Sequence, residues 1–193
     1  NNSFRYNSQR NTKILAHYMP WFQAPSVSGY WGWHWTMDYF NPENLDVNEQ
    51  RYIASHYYPI TGPYDSADSH ILEYQVLLMK LSGIDGIIVD WYGIDEFWDY
   101  NLIHQNTIKL FEYIKSAGLY FSICYEDQTI GHMVENGYIL ESDALTHGQN
   151  TINYLQENWF SDSSYLRISD SPVLLNFGPQ YYYDSSDWEY LFS

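Results

Sequence analysis

Apolar residues along the chain fall into two alternating patterns. Four short runs are nearly continuous in hydrophobic side chains: residues 13–19 (KILAHYM), 86–91 (GIIVDW), 119–125 (LYFSICY) and 172–177 (PVLLNF). A strand covered on both faces needs apolar side chains at successive positions, whereas a half-solvated strand alternates. The runs therefore predict buried strands of a parallel sheet. Segments of helical period separate them. Residues 68–82 carry Ile71, Leu72, Leu78, Met79 and Leu81, with Gly83 placed to end the helix. Residues 100–117 carry Ile103, Thr107, Leu110 and Ile114 at spacings of three and four, and Gly118 stands at the end. A third helix is expected to open at Thr146, with Gln149 completing a capping box, and to run to about Trp159 on Ile152 and Leu155.

Strand and helix in alternation predict an α/β fold with right-handed crossovers, of the parallel (β/α)8 TIM-barrel type. The chain has 193 residues. A complete barrel takes about 250, and four βα units are half of one. The expectation is one domain, the amino-terminal half of a barrel, with residues 1–12 as a leader segment. Residues 20–63 interrupt the rhythm: they are too long for an ordinary βα connection and too aromatic for a linker. Long loops at the carboxyl end of a strand usually carry function.

Composition narrows the chemistry. Aromatic residues make up 20% of the chain (Trp 8, Tyr 21, Phe 9), and 24 acidic residues against 8 basic ones give a net charge of −16. Such a surface repels phosphate backbones and anionic lipid, so neither nucleic acid nor a membrane is an expected partner. No apolar stretch approaches the roughly 20 residues of a membrane span. The single cysteine, Cys124, is taken to exclude both an internal disulfide and a cysteine-based zinc site. The seven histidines include no HExxH motif and no close pair, and Asp65 and Asp68 lack the pattern of a calcium loop. P-loop, GxGxxG, GxSxG and CxxC motifs are absent from the sequence. No metal and no cofactor is expected.

Ligands of parallel α/β folds sit at the carboxyl ends of strands. Here those ends read His17-Tyr18-Met19-Pro20-Trp21-Phe22, Asp90-Trp91-Tyr92-Gly93, Tyr125-Glu126-Asp127 and Asn176-Phe177-Gly178. Each sets a polar group beside an aromatic ring. Sugars need that mixture, because their C–H faces stack on rings while their hydroxyls require directed hydrogen bonds. Asp90 and Glu126, ending adjacent strands, are the carboxylate pair. A glycosidase needs two carboxylates about 5–9 Å apart, and neighbouring strands allow it. The same pair would serve equally to hold sugar hydroxyls.

Several phrases in order resemble a known group: Tyr18-Met19-Pro20-Trp21-Phe22, Gly29-Tyr30-Trp31-Gly32-Trp33-His34-Trp35, Ser55-His56-Tyr57-Tyr58-Pro59, Gly62-Pro63-Tyr64, and residues 82–93 (SGIDGIIVDWYG). Together they resemble the amino-terminal half of glycoside hydrolase family 71/99-like proteins, which include endo-acting α-mannosidases and α-1,3-glucanases. The resemblance implies a (β/α)8 barrel and retaining hydrolysis of an α-linked glycan. It also implies a catalytic glutamate pair on a later loop of the barrel, and Glu135, Glu141, Glu157 and Glu189 do not stand in the matching context. The residues it marks as lining a glycan cleft are Tyr18, Trp21, His34, Trp35, Tyr64, Asp90, Trp91, Tyr92 and Glu126, and strand-end position adds Asp127 and Asn176. On this reading, Trp35→Ala or Trp91→Ala should abolish glycan binding. The expected partner is an oligosaccharide or polysaccharide and the expected location is outside the cytoplasm: periplasmic, cell-surface or secreted. The alternative function is a non-catalytic carbohydrate-binding domain or a degenerate hydrolase relative.

Overall fold

A computed structural model describes residues 12–193, so the leader segment assigned to 1–12 lies outside the described residues except for Thr12. In chain order the elements are β1 (Leu15–Tyr18), α1 (Trp33–Thr36), α2 (Ser69–Leu81), β2 (Gly86–Trp91), α3 (Tyr100–Ser116), β3 (Tyr120–Tyr125) and α4 (Gln128–Glu135). They continue with α5 (Ala144–Asn158), β4 (Arg167–Ile168), β5 (Ser171–Pro172), β6 (Leu174–Asn176) and α6 (Ser185–Leu191). The main sheet is four parallel strands in the order β1-β2-β3-β6, flanked by helices. This is the expected architecture, a TIM-barrel-like partial fold.

The two glycine stops work as predicted. After α2, Gly83 takes a φ of 76°, its N–H reaches the Lys80 carbonyl and Ile84 N–H reaches Met79 O at 3.0 Å. Gly118, with φ 63°, closes α3 by the same pair of bonds, from Gly118 to Lys115 and from Leu119 to Ile114. A left-handed residue at this point satisfies carbonyls that the helix leaves open. Asp68 starts α2 by accepting the His70 N–H at 2.9 Å.

Pleating assigns every strand residue to a face. Ile87, Val89 and Trp91 of β2, and Phe121, Ile123 and Tyr125 of β3, turn toward the helices and are all essentially buried. Against them pack Leu110, Phe111 and Ile114 of α3, Ile152 and Leu155 of α5, and Trp159. Phe111 and Phe121 stack at 3.9 Å. Trp91 sits edge-on to Trp159 and donates its indole N–H to His104 Nδ1 at 3.2 Å. Burial pushes the His104 imidazole down to about 4 and so keeps it neutral, as an acceptor must be. The other face of the sheet carries Leu15, His17, Ile88, Asp90, Ser122, Cys124 and Leu175.

Three expectations are corrected. The fourth strand does not run through 172–177. Ser171–Pro172 pairs antiparallel with Arg167–Ile168, and Val173 gives its N–H to Leu166 and its carbonyl to Ser122 Oγ and Tyr165 OH. Only Leu174–Asn176 joins the main sheet. The third helix begins at Ala144, not Thr146, after a 3-10 turn at Glu141–Asp143. Gln149 is no cap partner, because its amide donates to Tyr190 O and Ser193 Oγ and so ties α6 to α5. The aromatic interruption, finally, is an ordered segment containing α1 and not a bare loop.

That segment is secured by burial. The Asp65 carboxylate, 1% exposed, accepts N–H bonds from Ala24, Ser28 and Ala67. Asn106 of α3 reaches back to the Pro20 carbonyl at 2.9 Å. Because Trp91 fills the layer between sheet and helices, Trp91→Ala is expected to cost about 3–5 kcal/mol in urea unfolding. A loss below about 1 kcal/mol would contradict this packing role.

Candidate functional site

A cavity of about 700 Å³ opens where strands β2 and β3 end. The connections leaving β1, β2 and β3 each add to it. From the long segment after β1 come Tyr30, Trp33 and His34; from the turn after β2 come Tyr92, Trp98 and Asp99; from the turn after β3 comes Glu126. Tyr100 of α3 with Thr129 and His132 of α4 complete the wall.

The rim is aromatic and open. Trp33 is 52% exposed, Tyr30 53% and Trp98 67%. Exposed rings cost free energy in water, and here they are held in place. The Trp33 indole N–H donates to Asp38 at 2.9 Å, and Trp98 stacks on Phe97 at 4.5 Å. Deeper in, His34 is sandwiched by chemistry on two sides. Its ring stacks on Trp21 at 4.3 Å and 4°, and its Nε2 lies 3.3 Å from Asp99 Oδ2. Tyr100 OH pairs with His132 Nδ1 at 3.2 Å.

Glu126 is the acid of this cavity. It is half-buried, and burial, reinforced by the neighbouring carboxylates of Asp90 and Asp127, pushes its carboxyl up to about 7. A carboxyl in that range is protonated for about half the molecules at neutral pH, so it can donate as well as accept. Burial also raises the Tyr92 and Tyr100 phenols, with Glu126 and Asp99 adding to the effect. Both stay protonated donors at any working pH.

The structure sorts the residues singled out by sequence into three groups. His34, Tyr92 and Glu126 line the cavity, and Trp21 backs it through the His34 stack. Asp90 is adjacent but 3% exposed on the sheet's inner face, with burial raising its pKa and the His17 and His34 imidazoles opposing that rise. The remaining six are framework residues. Trp35 is 1% exposed, stacks on Phe22 at 4.0 Å and donates to the Tyr64 carbonyl at 2.8 Å. Tyr64 itself packs edge-on to both of those rings. Tyr18 is buried with its hydroxyl on Gln75 Oε1, and Trp91 belongs to the helix-facing core. The register sets Asn176 opposite Tyr125, also on the helix side, with its amide atoms buried.

Asp127 has the most specific framework role. It is fully buried, and its carboxylate accepts the N–H groups of Gln180, Tyr181 and Tyr182 at 2.8–3.1 Å. It holds the chain after β6 and is not available to a ligand. The expectation that Trp35→Ala or Trp91→Ala abolishes binding is therefore replaced: both side chains act on folding.

Sequence reading missed Tyr30, Trp33, Trp98, Asp99, Tyr100, Thr129 and His132. A signal existed for several of them. Glu96-Phe97-Trp98-Asp99-Tyr100 is an aromatic and acidic run in the turn after β2, the same type of position that drew attention to Tyr92. Within Trp33-His34-Trp35, only the helical turn at 33–36 decides that Trp33 points out while Trp35 points in.

No protein-family model and no curated protein matches the chain. Among solved structures, the chain is similar to the GH99 endo-α-mannosidase of Bacteroides thetaiotaomicron in complex with Bis-Tris-propane, at a TM-score of 0.56 and 21% identity over 84% of this chain and 41% of that one. A second structure of the Bacteroides thetaiotaomicron GH99 endo-α-mannosidase matches at a TM-score of 0.56 and 20% identity, covering 84% of this chain and 44% of that one. At this identity the likeness shows the fold. The chain spans less than half the length of these structures.

The raised Glu126 carboxyl also makes stability depend on pH. Its folded-state pKa of about 7 lies above the ordinary value of 4.5, so the folded chain keeps the proton longer than the unfolded chain. Its contribution therefore favours folding below about pH 4.5 and is lost as pH rises toward 7. Asp90, also raised, acts with the same sign. Urea midpoints measured at about pH 5 and pH 7.5 should fall less in Glu126→Gln than in the parent chain. An equal fall in both would contradict the buried-acid assignment.

Proposed function

We propose that this chain supplies the glycan-binding part of an endo-acting α-glycoside hydrolase barrel, acting on α-mannan or a related α-glycan. The observation that carries the reading is the cavity of Trp33, Trp98, Tyr92 and Glu126: open rings beside a half-buried acid at the strand ends of a TIM-barrel-like sheet. The similar solved structures, both of an endo-α-mannosidase, support the substrate class. On this reading the chain is the amino-terminal half of the barrel, and the protein is exported to meet a polymeric glycan.

The chemistry of binding follows from the parts. Trp33 and Trp98 offer indole faces to the C–H faces of two sugar rings. Tyr92 and Tyr100 donate to hydroxyls, and the His34–Asp99 pair presents a polarised donor and acceptor. Glu126, near half-protonation at neutral pH, donates a hydrogen bond to a sugar oxygen or accepts one from a hydroxyl.

One observation favours the second reading, carbohydrate binding without hydrolysis by these residues. Hydrolysis needs two free carboxylates. Asp90 is sealed on the inner face and Asp99 is engaged by His34, which leaves Glu126 alone in the cavity. Within this chain, then, the cavity residues bind, and the hydrolase reading takes its second carboxylate from another segment.

Calorimetry with α-1,6- and α-1,2-linked mannooligosaccharides, and with α-1,3-glucooligosaccharides as the competing class, tests the assignment. Trp33→Ala and Trp98→Ala should each weaken binding by about 1–2 kcal/mol, roughly 5- to 30-fold, without lowering the unfolding midpoint. Affinity unchanged in both variants, or no binding of either oligosaccharide class, would overturn the glycan assignment.

A further inference from the structure

The inner face of the sheet carries a cluster that the aromatic cavity does not include. His17 of β1, Asp90 of β2 and Cys124 of β3 each present one donor atom, and these three atoms lie within 4.8 Å of one another. Strand register brings them together. Asp90 and Cys124 are direct partners across β2 and β3, and His17 stands opposite Ile88, two residues before Asp90 on the same face. Asp90 is 3% exposed, and its buried Oδ1 has no hydrogen-bond partner. A buried carboxylate oxygen without a donor is costly, and nearly every such group in a folded protein finds a partner. Among the described residues no Lys or Arg pairs with it in an ion pair. A cation held between Asp90 and its two neighbours would satisfy it.

We propose that His17, Asp90 and Cys124 form a binding site for one divalent transition-metal ion, with Zn²⁺ the best match. The donor set decides the class: one imidazole, one thiolate and one carboxylate suit a borderline-soft ion, whereas Mg²⁺ and Ca²⁺ require oxygen shells. Zinc–ligand distances place neighbouring donors of a tetrahedron about 3.5 Å apart, so side-chain rotations of about 1 Å close the site without moving the strands. Thiolate and carboxylate together neutralise the ion, and the assembly is buried as a neutral unit. The Cys124 thiol proton passes to solvent when the metal binds. His17 is solvent-exposed and provides the path of entry. Three protein donors leave the fourth position of the tetrahedron for a water or another oxygen ligand. The exclusion of a cysteine-based zinc site, drawn from the cysteine count, holds only for sites of several cysteines; a mixed site with one cysteine is a different arrangement, assembled by three neighbouring strands.

This inference does not rest on the glycan reading, and its test has a spectroscopic readout of its own. The full 193-residue chain, stripped with chelator, is titrated with Co²⁺ and then with Zn²⁺ in competition. One equivalent of Co²⁺ should bind, with a near-ultraviolet thiolate-to-cobalt band and the visible bands of a four-coordinate ion, and Zn²⁺ should displace it. Cys124→Ser should remove the thiolate band. His17→Ala, at an exposed position where the fold tolerates change, should weaken Co²⁺ binding at least roughly tenfold with the far-ultraviolet circular dichroism unchanged. The proposal is overturned if no saturable Co²⁺ binding occurs, or if binding persists unaltered in both variants.

Discussion

The pleat of β2 and β3 is the constraint on which the rest of this structure depends. In each strand, successive side chains must face opposite ways, and both faces of the sheet are used. On one side Ile87, Val89, Trp91, Phe121, Ile123 and Tyr125 meet helices α3 and α5 and exclude water. On the other, Ser122 and Cys124 alternate along β3, and Asp90 of β2 stands directly opposite Cys124. A single step in register would exchange the two sets, burying carboxylate against Leu110 and Ile152 and exposing tryptophan. The apolar side settles that register, and the polar side inherits its geometry. The close approach of Asp90 to Cys124 and His17, and the placement of Glu126 just past the end of β3, follow from a packing decision made on the opposite face.

A second level of organisation is imposed by buried carboxylates. Asp65 gathers the N–H groups of Ala24, Ser28 and Ala67, and Asp127 gathers those of Gln180, Tyr181 and Tyr182. Hydrogen bonds to a charged acceptor are among the stronger ones in proteins, and here each acid converts a long connection into a rigid wall. Trp35 does the same work with its ring, pinned between Phe22 and Tyr64. The open ring of Trp33 stands in solvent on a segment that Asp65 and Trp35 hold in place. The wall that carries Trp33 thus depends on side chains that do not line the cavity.

Much of this was legible in the sequence, and the reasons are physical. Continuous apolar runs identify buried parallel strands, and glycine after a helical period identifies stops, because both signals are local. The strand 86–91 and the ends of α2 and α3 came out within a residue for that reason. The strand-end rule brought Tyr92 and Glu126 into view, and the resemblance carried by the tryptophan-rich segment brought His34. It failed for Trp91, Tyr18 and Asn176 because a strand end has two faces and the rule does not choose between them. It failed for Asp127 because a carboxylate beside a cavity can serve backbone or ligand, and only the position of residues 180–182 tells which. Short elements such as α1, α6 and the β4–β5 hairpin have too few residues to show a clear period.

By itself the sequence determined the fold class, the alternation of the main parallel strands with α2, α3 and α5, and the chemical theme of rings beside acids. These depend on the period of apolar residues and on composition, which any short window displays. Tertiary structure alone decided which ring is a platform and which is core, which acid is free and which is tied to backbone, and that His17, Asp90 and Cys124 meet. Those outcomes depend on register across strands and on contacts between residues far apart in the chain, as between Ala24 and Asp65 or His17 and Cys124. Such separations leave no trace in local pattern, and they are settled only when the chain closes around its core.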